Sequence, residues 1–319
     1  MRAGERLFMS FEAETLESPT GAHIRLRVAQ AQGGARGIIQ IHHGLAEHSG
    51  RYQRFAEFLS ARGYHVGVQD QRGHGETTAP DAPRGVFAAR DGWSRVVADA
   101  RAVEDHLRAR FDGLPLILYG HSMGGVTAMT HAMARKGAVD GLAIWNANLA
   151  MGSRANLIRT VLSIESLFKK AADPSTWMEA LTFKAWGRKF KKARTEFDWL
   201  SRLPDEVDAY IADPMAGWPA SISMWRCLVD GTLRGEDEAS LRMIPADLPI
   251  HLAAGGQDPV VDNGAAVKTL AARLRAARFT DVTMRFDPLG RHETLHDLGY
   301  ETAMADFADW ADRVCGRAG

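Results

Sequence analysis

The chain has 319 residues, in which 39 Lys and Arg balance 39 Asp and Glu, and only two cysteines, Cys227 and Cys315. Zero formal net charge argues against a nucleic-acid or other polyanionic partner, and two unclustered cysteines exclude a disulfide framework and a structural zinc. The length suits one large α/β core carrying an insertion. The opening residues, Met1 to Phe8, lack an apolar signal core, and no run approaches the roughly 18 apolar residues of a membrane span. A cytoplasmic protein is expected, with any lipid contact made transiently by a surface.

Taken in order, Phe11 to Glu17 and His23 to Val28 are β-like runs around the turn sequence Ser18-Pro19-Thr20-Gly21, which predicts an antiparallel hairpin. A buried strand over Gly37 to Gly44 and a helix over Tyr52 to Ala61 follow. Next come a strand over Tyr64 to Asp70, a Gly-containing loop, a helix over Trp93 to Arg110 and a strand over Leu116 to Tyr119. Gly141 to Ala147 gives another strand. The alternation then lapses for about a hundred residues until Pro249 to Ala254, too long a gap for a structureless loop. Residues 151–245 are read as a helical cap between core segments 1–150 and 246–319. Asn263 to Arg278 predicts a helix, Val282 to Phe286 the last strand, and Leu295 to Val314 a terminal helix. Strands alternating with helices imply an α/β fold with a mostly parallel central sheet, the cap entering after the sixth strand.

The chemistry centres on Gly120-His121-Ser122-Met123-Gly124-Gly125. A strand running into Gly-x-Ser-x-Gly and then into an Ala- and Met-rich helical segment has the form of a nucleophile elbow, with Ser122 held in a strained turn. A serine needs a base to take its proton, and the chain order Ser, acid, His is met by Asp258 beyond the first strand after the cap and His292 beyond the last strand. Asp262 is the nearby rival for the acid. His296 is read as a helix-surface residue. The oxyanion of a tetrahedral intermediate needs amide donors, and in this arrangement they are those of Met123 and of Leu45 in the loop after an early strand. His42, His43 and His48 lack a carboxylate or Cys that would complete a metal site, so loop-shaping hydrogen bonds are expected of them. Asp70-Gln71-Arg72-Gly73-His74-Gly75 precedes the nucleophile and is read as a loop brace with an Arg72 ion pair.

On these residues the chain resembles the monoacylglycerol lipase and lysophospholipase family of α/β-hydrolases. The matching strings are His43-Gly44-x-x-Glu47-His48-x-x-Arg51-Tyr52, Asp70-x-Arg72-Gly73-His74-Gly75, Gly120 to Gly125, Gly256-x-Asp258-Pro259-Val260-Val261 and His292-Glu293. The resemblance implies a Ser122, Asp258, His292 triad, Leu45 and Met123 as oxyanion donors, a lipid-like ester substrate and no metal or organic cofactor. The cap's Trp, Phe, Met and Leu content is expected to line an acyl channel above Ser122. Serine in place of aspartate at position 122 argues against epoxide hydrolases and dehalogenases of this fold. Three alternatives stand, the first an esterase of small esters. An aminopeptidase needs cap carboxylates for the substrate's amine, with Glu165, Glu179, Glu196 and Asp208 as candidates, and a binding protein uses the same cleft without catalysis.

Overall fold

The computed structural model describes residues 11–135 and 137–316, so the N-terminal octapeptide examined for a targeting signal lies outside it. Eight strands form one sheet: β1 (Glu12–Glu17), β2 (His23–Ala29), β3 (Gly37–His42), β4 (Tyr64–Gln69), β5 (Leu116–His121), β6 (Gly141–Trp145), β7 (Ile250–Gly255) and β8 (Val282–Asp287). Their spatial order is β1-β2-β4-β3-β5-β6-β7-β8, antiparallel for β1 with β2 and β2 with β4, and parallel from there on. The reason lies in the pattern of apolar residues. Strands β3, β5, β6 and β7 are buried at every position and mostly apolar, broken only by Gln40, His42, His121 and His251, as strands covered by helices on both faces are. The edge strand β1 has no fully buried position and carries Glu12, Glu14 and Glu17, charges that discourage pairing with another chain.

Helices α1 (Gln53–Ala61), α2 (Gly92–Arg110), α3 (Met123–Ala134), α10 (Ala265–Ala276) and α11 (Tyr300–Cys315) cover the sheet. Six more occupy the interval between β6 and β7: α4 (Arg154–Glu165), α5 (Thr176–Leu181), α6 (Phe183–Gly187), α7 (Pro204–Ala212), α8 (Ile222–Glu236) and α9 (Glu238–Leu241). The long helix α8 packs on α2 and α3, and α4 packs on α8. A small aromatic cluster of Trp199, Leu200 and Tyr210 forms a separate core inside this insert.

The terminal helix is shorter than its pattern predicts. Thr294–His296 is a single 3-10 turn, the chain breaks at Asp297 to Gly299, and α11 starts only at Tyr300. The break has a cause: the Asp297 carboxylate is taken up by the Arg202 side chain and the Arg291 amide, and Gly299 sits at φ 88°, a left-handed conformation that favours glycine. His296 is accordingly not on a helix surface. It sits half-buried against Glu206 of α7, with Nδ1 2.8 Å from the carboxylate.

Arg72 does brace its loop, and its partners come from outside the motif. The fully buried guanidinium donates to Asp99 of α2 and to Asp81. Among the described residues no helix is long and apolar enough to cross a membrane.

Candidate active site

The parallel strands all point their C-terminal ends at one edge of the sheet, and the loops leaving β3, β5, β7 and β8 converge there. Ser122 lies between β5 and α3 with φ 54° and ψ −119°, a conformation a non-glycine residue adopts only when its surroundings force it. The surroundings are backbone. A Cβ on Gly120 would lie 2.0 Å from the Gly124 carbonyl oxygen, and a Cβ on Gly124 would lie 1.9 Å from that of His42. Both glycines are needed for strand, turn and helix to close together around the serine.

The Ser122 Oγ is 3.0 Å from His292 Nε2, and His292 Nδ1 is 2.9 Å from Asp258 Oδ2. Asp258 is fully buried, and its other oxygen accepts the Val260 amide at 2.9 Å, which fixes the carboxylate plane. Asp262, the rival acid, does not reach His292; it pairs with Arg154 at the rim of the cavity. Met123 is the first residue of α3, where an amide has no acceptor within its own helix, and Leu45 lines the same cavity as Ser122.

That cavity encloses about 280 Å³. Its floor is the sheet edge that carries Ser122 and His292, and its walls are Ile158, Met178, Phe183, Trp186, Trp199 and Leu228 from the insert. The insert's aromatics therefore divide. Trp186 and Trp199 meet edge to face at 4.9 Å beside the cavity, whereas Trp218 packs against His74 at 4.8 Å.

Several groups around the triad carry no sequence-derived role. Asn146, just after β6 at φ 51°, donates to Asp258 Oδ2 at 3.0 Å and accepts from Thr294 Oγ1 at 2.8 Å. Its only trace in the sequence is its position directly after a buried strand. Glu47, Arg51, His121 and Glu293 belong to the quoted motifs, and the fold gathers them into one buried cluster. Arg51 forks onto both oxygens of Glu293 at 2.6 Å and reaches Glu47 at 2.7 Å. Burial alone would raise the Glu47 carboxyl, yet Arg51 and His121 hold it well below its usual range. Burial also opposes charge on His121, and the Glu47 hydrogen bond and charge outweigh it, so its pKa is raised.

The hydrogen-bonding role expected of three histidines holds for two: His42 ends β3 with its buried ring nitrogens unpaired among the described residues, packed edge to face against His131, while His43 and His48 shape the loop after it. His43 bonds to the Gly44 carbonyl at 2.7 Å and accepts the Gln71 amide at 2.9 Å, while His48 reaches Asp213 of the insert at 2.7 Å. The acids considered for an amine-binding role do not line the cavity. Glu165 accepts from Ser175 and Lys169, Glu179 pairs with Lys184, and Asp208 pairs with Arg194.

Residues 33–299 match the serine aminopeptidase family S33. The human monoglyceride lipase is 30% identical over 95% of this chain and 91% of its own length. The monoacylglycerol lipase of Mycolicibacterium smegmatis is 26% identical, over 86% of this chain and 88% of its own length. Among solved structures, a thermostable carboxyl esterase from Bacillus coagulans in complex with glycerol superposes with a TM-score of 0.87, at 22% identity, covering 96% of this chain and 99% of that one.

Proposed function

We propose, from the premise that this chain belongs to the serine aminopeptidase S33 family of α/β-hydrolases and is a carboxylic ester hydrolase, that it cleaves single-chain lipid esters such as monoacylglycerols through an acyl-enzyme on Ser122. The observation that carries this reading is the His292 ring, bonded at one nitrogen to Ser122 and at the other to the buried Asp258. His292 takes the serine proton as Oγ attacks the ester carbonyl, then gives it to the leaving alcohol, and the same ring activates the water that releases the acid. Asp258 holds the tautomer in which Nδ1 carries its proton and Nε2 is free to accept. The Leu45 and Met123 amides stabilise the oxyanion.

Residues 151–245 act in this reading as a cap whose inner wall takes the acyl chain. An acyl chain offers apolar area at about 0.8 kcal/mol per buried methylene, and a cavity walled by Met178, Phe183 and Leu228 supplies the complement. An aminopeptidase reading requires a free carboxylate in the cavity. Glu47 and Glu293 line it but are both committed to Arg51, and Asp262 is committed to Arg154. The test is a panel crossing acyl length with glycerol, glycerophosphocholine and aminoacyl-amide leaving groups. Efficiency that rises with acyl length on glycerol esters is the expected result. Cleavage of aminoacyl amides with no long-chain ester turnover would replace this reading.

The cap's outer face supports transient contact with a bilayer surface. Leu157, Leu167 and Phe168 on and after α4 are exposed, Phe168 to 79%, and Lys169 and Lys170 adjoin them. Apolar side chains beside lysines suit the boundary of an anionic membrane. Vesicle sedimentation is expected to give weaker binding for Phe168→Asp, with soluble-ester turnover unchanged. Equal binding of both proteins would remove α4 as the contact.

A further inference from the structure

The buried cluster behind the triad joins the three segments whose relative placement sets the reaction geometry. His121 closes β5 directly before Ser122. Its Nε2 is 3.0 Å from the main-chain carbonyl oxygen of His292, and its Nδ1 is 3.3 Å from Glu47 Oε1. Glu47 accepts in addition from the Gly44 amide, from Tyr52 Oη at 3.0 Å and from Arg51 at 2.7 Å. A carboxylate that already accepts from these three donors, one of them a guanidinium, is ionised, and a peptide carbonyl has no proton to give. Both ring nitrogens of His121 thus face atoms that only accept.

We propose that His121 is a doubly protonated positioning residue that ties the oxyanion loop, through Glu47 and Gly44, to the His292 loop, and that loss of its second proton sets an alkaline limit on catalysis. The inference rests on the ester-hydrolase mechanism above. Charge accounting favours it, because Glu47 and Glu293 against Arg51 and His121 make a buried set of four charges with no net charge, whereas a neutral His121 would leave one carboxylate uncompensated. The groups facing the ring come from every side. Glu47, Arg51 and Tyr52 lie on the stretch after β3, Ser122 is next in chain, and Glu293 and the His292 ring at 4.8 Å are on the loop after β8. Tyr210 of α7 stacks over Arg51 at 4.9 Å. When Nδ1 loses its proton, its lone pair turns toward the Glu47 carboxylate, and the loop carrying Leu45 is released from the base.

The test uses the full chain labelled with 15N-histidine, with a short soluble ester as substrate. At neutral pH the His121 nitrogens should both resonate as imidazolium, and the titration of that signal should coincide with the alkaline fall of kcat. Glu47→Gln is expected to move the fall to lower pH. His121→Gln is expected to lower kcat about 100-fold with little change in KM, and to abolish the alkaline limb. A neutral His121 signal at pH 7 overturns the proposal whether or not either variant folds, since it needs only the wild-type protein, and so does an alkaline limb unmoved in Glu47→Gln of native circular dichroism. Failure of the underlying mechanism is read separately, as turnover retained by Ser122→Ala.

Discussion

The sheet and the cap spend their apolar residues differently. In the core, the apolar runs of β3, β5, β6 and β7 are buried on both faces, and large side chains such as Trp145, Tyr119 and Phe307 pack ring against ring. In the insert, Leu162, Ile222 and Met224 join the main core, Met178, Trp199 and Leu228 are buried yet border a cavity, Leu167 and Phe168 are exposed, and Trp199, Leu200 and Tyr210 form a small core apart. A close-packed interior leaves no room for a ligand, whereas a layer with unfilled apolar walls does. In the function proposed above, chemistry belongs to the close-packed sheet and selectivity to the insert that walls the cavity.

The largest effect that separates the two regions is expected at Ser122. Ser122→Ala should lower ester turnover by about four to six orders of magnitude while circular dichroism and Tm stay near wild type, since the elbow is held by its glycines. A comparable loss from any single cap substitution would erase the distinction. Next in size is Leu228→Trp, which narrows the cavity from the α8 side. Excluding two methylenes forfeits about 1.6 kcal/mol, about fifteenfold in kcat/KM for long esters, with butyrate esters spared. Equal losses for both lengths would mean that Leu228 shapes the serine's surroundings and not the chain's path.

Acid titration sharpens the comparison further. Burial by itself would raise the Glu104 carboxyl between α2 and α3, but the hydrogen bond and charge of His131, with Arg108 and Arg135, bring it down to about 2. Glu206 in α7 is also brought to about 2 against its own burial, by His296 and Arg54. A depressed carboxyl stabilises the fold fully above its unfolded value near 4.5 and loses that contribution as pH falls toward 2. Glu104→Gln should therefore flatten the acid dependence of global unfolding. Glu206→Gln should leave that curve alone and loosen only cap amides in hydrogen exchange. Identical effects of the two variants on global unfolding would show the cap and core melting as one unit. The smallest effect is expected for His296→Ala, about twofold in kcat/KM, because its partly exposed pair with Glu206 lies outside the bonds that His292 makes. A loss on the scale of Ser122→Ala would make it the base.

Much of the core was legible because burial imposes a period. The elbow, the acid and the base each follow a strand whose apolar run is visible in the chain, and Ser122, Asp258 and His292 are brought together from positions 122, 258 and 292 by strand order alone. The break at Asp297 was not legible, since it depends on Arg202, a partner in the insert 95 residues earlier in the chain. Asn146 and His121 went without a role for the same reason: each acts through hydrogen bonds to residues distant in the chain, and no periodicity records those. In the cap, the amount of aromatic side chain was plain, but which ring faces the cavity and which packs inside it was not. Short helices with irregular connections have no fixed face to read.

The carbonyl of Ala46, next to Leu45 and at φ 56°, accepts the Gly217 amide at 2.9 Å and the Tyr210 hydroxyl at 3.3 Å. On the opposite side of the serine, the main-chain amides of His292 and Glu293 donate to Trp199 and Leu200. One stretch of the insert, residues 197–218, thus grips both the loop of Leu45 and the loop of His292, the two that the proposed mechanism uses. It follows that the cap is not an interchangeable part. A hybrid enzyme that borrows a relative's acyl specificity should graft the segments on either side of this stretch and let residues 197–218 travel with the sheet, because cutting the whole insert at its roots would also unfasten the oxyanion loop and cost turnover of the shortest esters.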